Sequence, residues 1–165
     1  MAEAGGGSAA GGGAGRRWLG VVGAGGAVGD DVAQAAFAVG RACAQAEAVL
    51  VCGGLGGVME AACRGARSAG GLTVGLLPGT DRAAANEAVA VALPTGLGEL
   101  RNGLIVRAAD ALVAIGGEWG TLSEIALALK AGKPVVGLAS WELARPGIEV
   151  AADPADAVAR ALAAV

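Results

Sequence analysis

Three short apolar runs in this chain end abruptly in glycine clusters. They are WLGVV (18–22) before GAGGAVGD, AVLVC (48–52) before GGLGG, and ALVAI (111–115) before GGEWG. Five consecutive apolar residues are too few for a helix and lack the alternation of a half-wet strand. They predict strands buried on both faces. LTVGLLP (72–78), AVAVAL (88–93) and PVVGL (134–138) repeat the pattern, giving about six strands. Between them lie stretches with helical spacing: from Asp30 or Asp31, either of which can cap, to about Gln45, then 58–69, 98–109 and 121–131. A last helix opens at Asp153-Pro154, a cap and a first-turn proline, and runs to Val165. Strand–helix alternation of this kind predicts an α/β fold: a Rossmann-like open parallel sheet with helices on both faces.

The composition narrows the chemistry. At 165 residues one core is expected, a single domain over 16–165. Residues 1–15, MAEAGGGSAAGGGAG, carry no apolar period and are expected to form a disordered tail. They lack the basic start and apolar centre of a signal peptide, no run approaches the length of a membrane helix, and a cytoplasmic protein is predicted. The net charge is −3, with no Lys/Arg cluster to bind nucleic acid. There is no histidine, so acid–base chemistry falls to carboxylates and positive charge to Arg or Lys. Cys43, Cys52 and Cys63 form no CxxC pair and read as small buried hydrophobes; no metal site is predicted.

Open parallel sheets bind ligands beyond the carboxyl ends of their strands, where these three glycine turns fall. Each strand–turn–helix unit can aim backbone N–H groups and a helix N-terminus at a phosphate. A single such turn needs only its own tightness as explanation, but three at one sheet edge point to a ligand. A P-loop is excluded because Gly132-Lys133 is followed by Pro134. A dinucleotide site is disfavoured as well. Gly23 and Gly25 fit its fingerprint, but Val28 takes the last glycine position and the second strand ends without an acid for the ribose.

Two charged residues stand near these turns. Thr121-x-x-Glu124 has the form of a capping box, in which Glu124 would reach back to the helix start. Alternatively, Glu124 faces the pocket made by GGEWG. Arg101 falls on related helix faces with Leu104, Ile105 and Ala108. It either pairs with Glu99 or a neighbouring carboxylate, or grips a ligand phosphate with its fork.

From LVCGGLGGVMEAACRGARSAGGLTVGLLPG through GLGELRN and AADALVAIGGEWGTLSEIALALKAGKPVVGL the chain resembles the LOG-like Rossmann proteins. Within them it is most similar to the branch containing the molybdenum-cofactor carriers, over about residues 18–140. LOG enzymes cleave the N-glycosidic bond of nucleoside 5′-monophosphates, whereas the carriers bind molybdenum cofactor without turning it over. The resemblance assigns the catalytic Arg to Arg101 and the acid to Glu124. It assigns a phosphate turn to Gly117, Gly120 and Thr121, and an earlier glycine turn to Gly53, Gly54, Gly57 and Met59. The chain departs from LOG enzymes at Gly116, where they have Pro, and at Glu118, where they have Gly and where an acid sets negative charge beside the expected phosphate. It departs again at Leu100 and Asn102, where they favour Glu and Lys; Arg101-Asn102 is carrier-like.

The first expectation is therefore hydrolysis of a nucleoside 5′-monophosphate, with Arg101 orienting the substrate and Glu124 supporting an oxocarbenium-like sugar. The alternative is a non-catalytic carrier of molybdenum cofactor; a vestigial pocket in a structural oligomer is the third. Gly23, Gly25, Gly53, Gly54, Gly57, Met59, Asn102, Gly116, Gly117, Glu118, Gly120 and Thr121 are expected at the ligand. No cofactor is required, beyond molybdenum cofactor as carried ligand. The apolar face of EIALALK, together with the resemblance, predicts a homodimer or homotetramer.

Overall fold

The computed structural model describes residues 15–144 and 146–165. The expected tail thus lies, all but Gly15, outside the described residues. The elements are β1 (Trp18–Gly23), α1 (Asp30–Gln45), β2 (Val49–Cys52), α2 (Val58–Ser68), β3 (Thr73–Leu77), β4 (Val91–Pro94), α3 (Asn102–Ala108), β5 (Ala111–Ile115), α4 (Trp119–Lys130), β6 (Val135–Leu138), β7 (Ile148–Val150) and α5 (Pro154–Ala163). Single 3₁₀ turns cover Arg82–Ala84 and Gly98–Arg101.

All seven strands are parallel, in the order β4-β3-β2-β1-β5-β6-β7. The chain winds outward from β1 in one direction, then returns and winds outward in the other. The order reverses between β1 and β5, whose ends meet at Gly23 and Ile115. This is where an open α/β sheet forms a crevice.

Period-two alternation sorts the strand side chains between two apolar layers. Leu19, Val21, Ala111, Val113 and Ile115 pack with α1, α2 and α5. Val22, Val51, Leu112, Ala114 and Val135 pack with α3 and α4, whose Ile105, Val106, Ile125 and Ala128 face them. With few aromatics to fill space, the helices close in on small residues. At the α1–α2 crossing, a Cβ added to Gly40 would lie 1.8 Å from the Ala62 carbonyl oxygen, and one on Gly65 would lie 1.9 Å from that of Phe37. Each helix thus lays a glycine on the other's backbone.

Several boundaries differ from the sequence expectation. The fourth strand starts at Val91, after a segment where Thr73 Oγ1 donates to the Ala88 carbonyl and Ala90 N–H donates to both the Thr73 hydroxyl and its backbone carbonyl. α3 follows a 3₁₀ turn, since Gly98 has φ +56°. Gly29 caps α1, and Asp30 and Asp31 occupy its first turn, where the helix dipole favours negative charge. Asp153 caps α5 as expected, accepting from Asp156 N–H at 2.9 Å. α5 ends at Ala163, and β7, a three-residue edge strand, is additional. Lys133, after its glycine, donates through Nζ to the Arg107 and Ala109 carbonyls at the end of α3. Among the described residues no helix is long and apolar enough to cross a membrane.

The helix crossing makes a direct prediction. Gly40→Ala or Gly65→Ala should destabilise the fold by about 3 kcal/mol or more, because backbone must move to admit the methyl. Denaturant midpoints against wild type measure this, with Gly103→Ala, whose Cβ would meet nothing within 4 Å, as the tolerated control.

Candidate functional site

At the reversal point, the ends of β1 and β2 face the loops before α3 and α4 across a cavity of about 310 Å³. Its most consequential contact is between Arg101 and Gly53. A Cβ on Gly53 would fall 2.0 Å from Arg101 Nη1 and 2.6 Å from Cζ, so the guanidinium rests on the bare Cα after β2. Arg101 is 7% exposed, and its Nε is buried with no hydrogen-bond partner. Among the described residues the ion pairs belong to Arg160, with Asp156 and Glu149. Among the described residues Arg101 forms no ion pair with Glu99 or any other carboxylate. Of its expected apolar stripe, Ile105 is buried beside it, while Leu104 and Ala108 are exposed.

Glu124 occupies the second turn of α4 and is 6% exposed. Burial pushes its carboxyl up to about 7, against the opposing pull of the Arg101 charge. Burial in turn lowers Arg101, while Glu124 raises it; a guanidinium stays protonated regardless. The capping box expected at Thr121 and Glu124 is displaced by one turn. The helix starts at Trp119, Glu118 is the N-cap, and its backbone N–H donates to Thr121 Oγ1 at 3.4 Å. Glu124 is thereby released from capping and lines the cavity.

The remaining wall is built by local bonds. Asn102 Nδ2 donates to Ser123 Oγ at 3.1 Å, and Ser123 Oγ donates to the Gly120 carbonyl at 2.7 Å, tying the start of α3 to α4. A Cβ on Gly23 would overlap Val58, and one on Gly25 would approach Met59 Cε at 3.2 Å, so β1 ends tightly against α2. Gly23, Gly25, Gly53, Met59, Arg101, Asn102, Glu118, Gly120, Thr121 and Glu124 thus share one cavity.

Gly54, Gly57, Gly116 and Gly117 are not among its lining. All four have positive φ, and they shape the turns behind it. Gly57 backs onto the Ala24 and Gly26 carbonyls, and Val58 N–H donates to Ala24 at 3.0 Å. The first amide of α2 is therefore already used. The anchoring role of Asn86 carries no sequence signal: its Nδ2 donates to the Gly54 and Leu55 carbonyls from a loop 31–32 residues away. Glu99, one of the partners considered for Arg101, lines the cavity instead, giving it three carboxylates and one guanidinium.

A sheet wound both ways from a central strand, with helices on each face, defines a Rossmann-like α/β domain. More specifically, the chain belongs to the SLOG cluster4 family, whose model matches residues 16–162. An uncharacterized protein of Archaeoglobus fulgidus is 45% identical over 120 residues, 73% of this chain and 78% of that one. Among solved structures, the molybdenum cofactor binding protein from the phototrophic bacterium Rippkaea orientalis is 34% identical. It superposes with a TM-score of 0.86 over 92% of this chain and 98% of that one. The molybdenum cofactor carrier protein of Chlamydomonas reinhardtii is 36% identical, with a TM-score of 0.81 over 90% of this chain and 98% of that one.

The buried carboxyl predicts a pH signature in stability. Glu124 is pushed up to about 7 when folded, from an ordinary value of 4.5. Between those values the folded chain holds more protons than the unfolded one. Its contribution to stability is therefore greatest below about 4.5 and lost as pH rises through about 7. Glu124→Gln should remove this slope and be more stable than wild type at pH 8, by up to roughly 3 kcal/mol. Unfolding midpoints of both proteins from pH 4 to 9 test this; parallel curves would show that the carboxyl is not held in the neutral form.

Proposed function

We propose that this protein binds a phosphorylated pterin of the molybdenum-cofactor class in the Arg101 cavity and releases it unchanged. The observation that carries the reading is Arg101 itself: a buried guanidinium with an unpartnered Nε and no ion pair among the described residues. Burying a charge without a partner is costly, and an anionic ligand is the partner that offsets it. The pterin class is supported by the two solved relatives, one named for binding this cofactor and the other for carrying it, each matched over nine-tenths of this chain. The carboxylates of Glu99, Glu118 and Glu124 would favour a ligand presenting ring or amine donors alongside its phosphate.

Glu124 supports a second reading, hydrolysis of a nucleoside 5′-monophosphate. A buried carboxyl titrating near 7 beside an arginine suits acid–base work at a glycosidic bond. In this reading Arg101 orients the phosphate and Glu124 stabilises the cationic sugar or activates water.

One preparation separates the two. Protein purified from cells supplied with molybdate is denatured, and the released small molecules are identified by mass spectrometry. Wild type should release a phosphorylated pterin, and Arg101→Met should stay folded with at least tenfold lower occupancy. Free base released from AMP, falling a hundredfold or more in Glu124→Gln, would establish the hydrolase instead. Absence of both the pterin and any turnover would overturn both readings.

A further inference from the structure

The crevice does not end at Asn102. Glu99, Asn102 and Gly120 also wall a second cavity of about 510 Å³, whose further lining includes Leu100, Gly103 and Trp119. Its outer wall is unusual for this chain. Trp119 is 78% exposed and Leu100 79%, although the whole sequence holds three tryptophans, one phenylalanine and no tyrosine. An indole left in water forgoes the burial that normally accounts for such a side chain.

Trp119 is nevertheless braced. Its ring centroid lies 5.6 Å from that of Trp141, at 37° between planes. Trp141 in turn sits against the turn after β5, where a Cβ on Gly117 would come within 2.7 Å of its Nε1. The floor is equally particular. Gly103 lies inside α3, where glycine is unfavourable, yet a Cβ there would meet nothing within 4 Å. Packing does not require the glycine, and its bare Cα leaves the cavity open.

We infer that this second cavity holds the planar heteroaromatic ring of the ligand, stacked on Trp119, while the phosphate of the same molecule reaches Arg101. The inference rests on the proposed role of Arg101 and adds where the ring goes. A braced indole offers a π-face to any planar ring without needing hydrogen bonds, so a pterin and a purine both qualify. The shared wall of Glu99, Asn102 and Gly120 is polar and lies between the two subsites, where a ring edge or linking group would meet it.

Isothermal titration calorimetry with AMP, 6-hydroxymethylpterin and ribose 5-phosphate tests this on wild type, Trp119→Ala, Trp119→Phe, Gly103→Leu and Arg101→Met. Trp119→Ala should weaken the two ring compounds about tenfold or more and leave ribose 5-phosphate within about twofold. Trp119→Phe should restore most of the loss, and Gly103→Leu, which fills the cavity, should exclude both rings. The ring subsite is overturned if the ring compounds bind Trp119→Ala and Gly103→Leu as they bind wild type, or if neither binds wild type. It is also overturned if light scattering shows that Trp119→Ala changes the oligomeric state without changing ring affinity. The phosphate reading fails separately: ribose 5-phosphate would then bind Arg101→Met as it binds wild type.

Discussion

A guanidinium lying on a glycine Cα organises the crevice. Arg101 reaches the sheet only because residue 53 has no side chain, since any Cβ would overlap Nη1 and Cζ. That contact fixes the charge at the end of β2, beside Glu124 and beneath the reversal point of the strand order. The carboxyl titrates near 7 through the same enclosure that removes water from Arg101. The Arg101 charge pulls the carboxyl the other way, so the ionisation of Glu124 depends on Arg101 staying in place.

The same economy of side chains runs through the scaffold. Helices packed on glycine and alanine approach more closely than leucine-faced helices, and dispersion contacts then come from backbone atoms. Gly40 and Gly65 do for the α1–α2 layer what Gly53 does for the crevice: each trades a side chain for proximity. On the opposite face, α3 and α4 are joined through Asn102, Ser123 and the Gly120 carbonyl. That face thus adds hydrogen bonds between its helices to the apolar packing that both faces share.

The strand runs were legible because parallel strands buried on both faces must be continuously apolar, and five of the six appear within about two residues of their expected positions. β4 starts three residues later than expected, beyond a segment bonded to the Thr73 side chain, and no local pattern reveals that contact. β7 was invisible: three residues with Glu149 at the centre give no period to read. The start of α4 was misplaced because Thr121 has the favoured cap chemistry while Glu118, a poorer cap type, holds the position. Arg101 and Glu124 were nameable from their places beside glycine turns and from the family pattern. Their lack of a mutual ion pair required coordinates, as did the role of Asn86, whose partners lie far along the chain. Glycines inside helices read only as a propensity cost until the facing backbone is seen.

The strand order also sets a timetable. β1 pairs with β2 early in the chain, but its other neighbour is β5, and the bond between Trp18 N–H and Asp110 joins residues 92 apart. As the chain emerges from the ribosome, β1 through β4 can form a half-sheet whose β1 edge stays unpaired. The crevice has only one side at that stage, because Arg101, Asn102 and Glu124 all belong to the segment that has yet to dock. The crevice is therefore complete only when the returning half closes on β1.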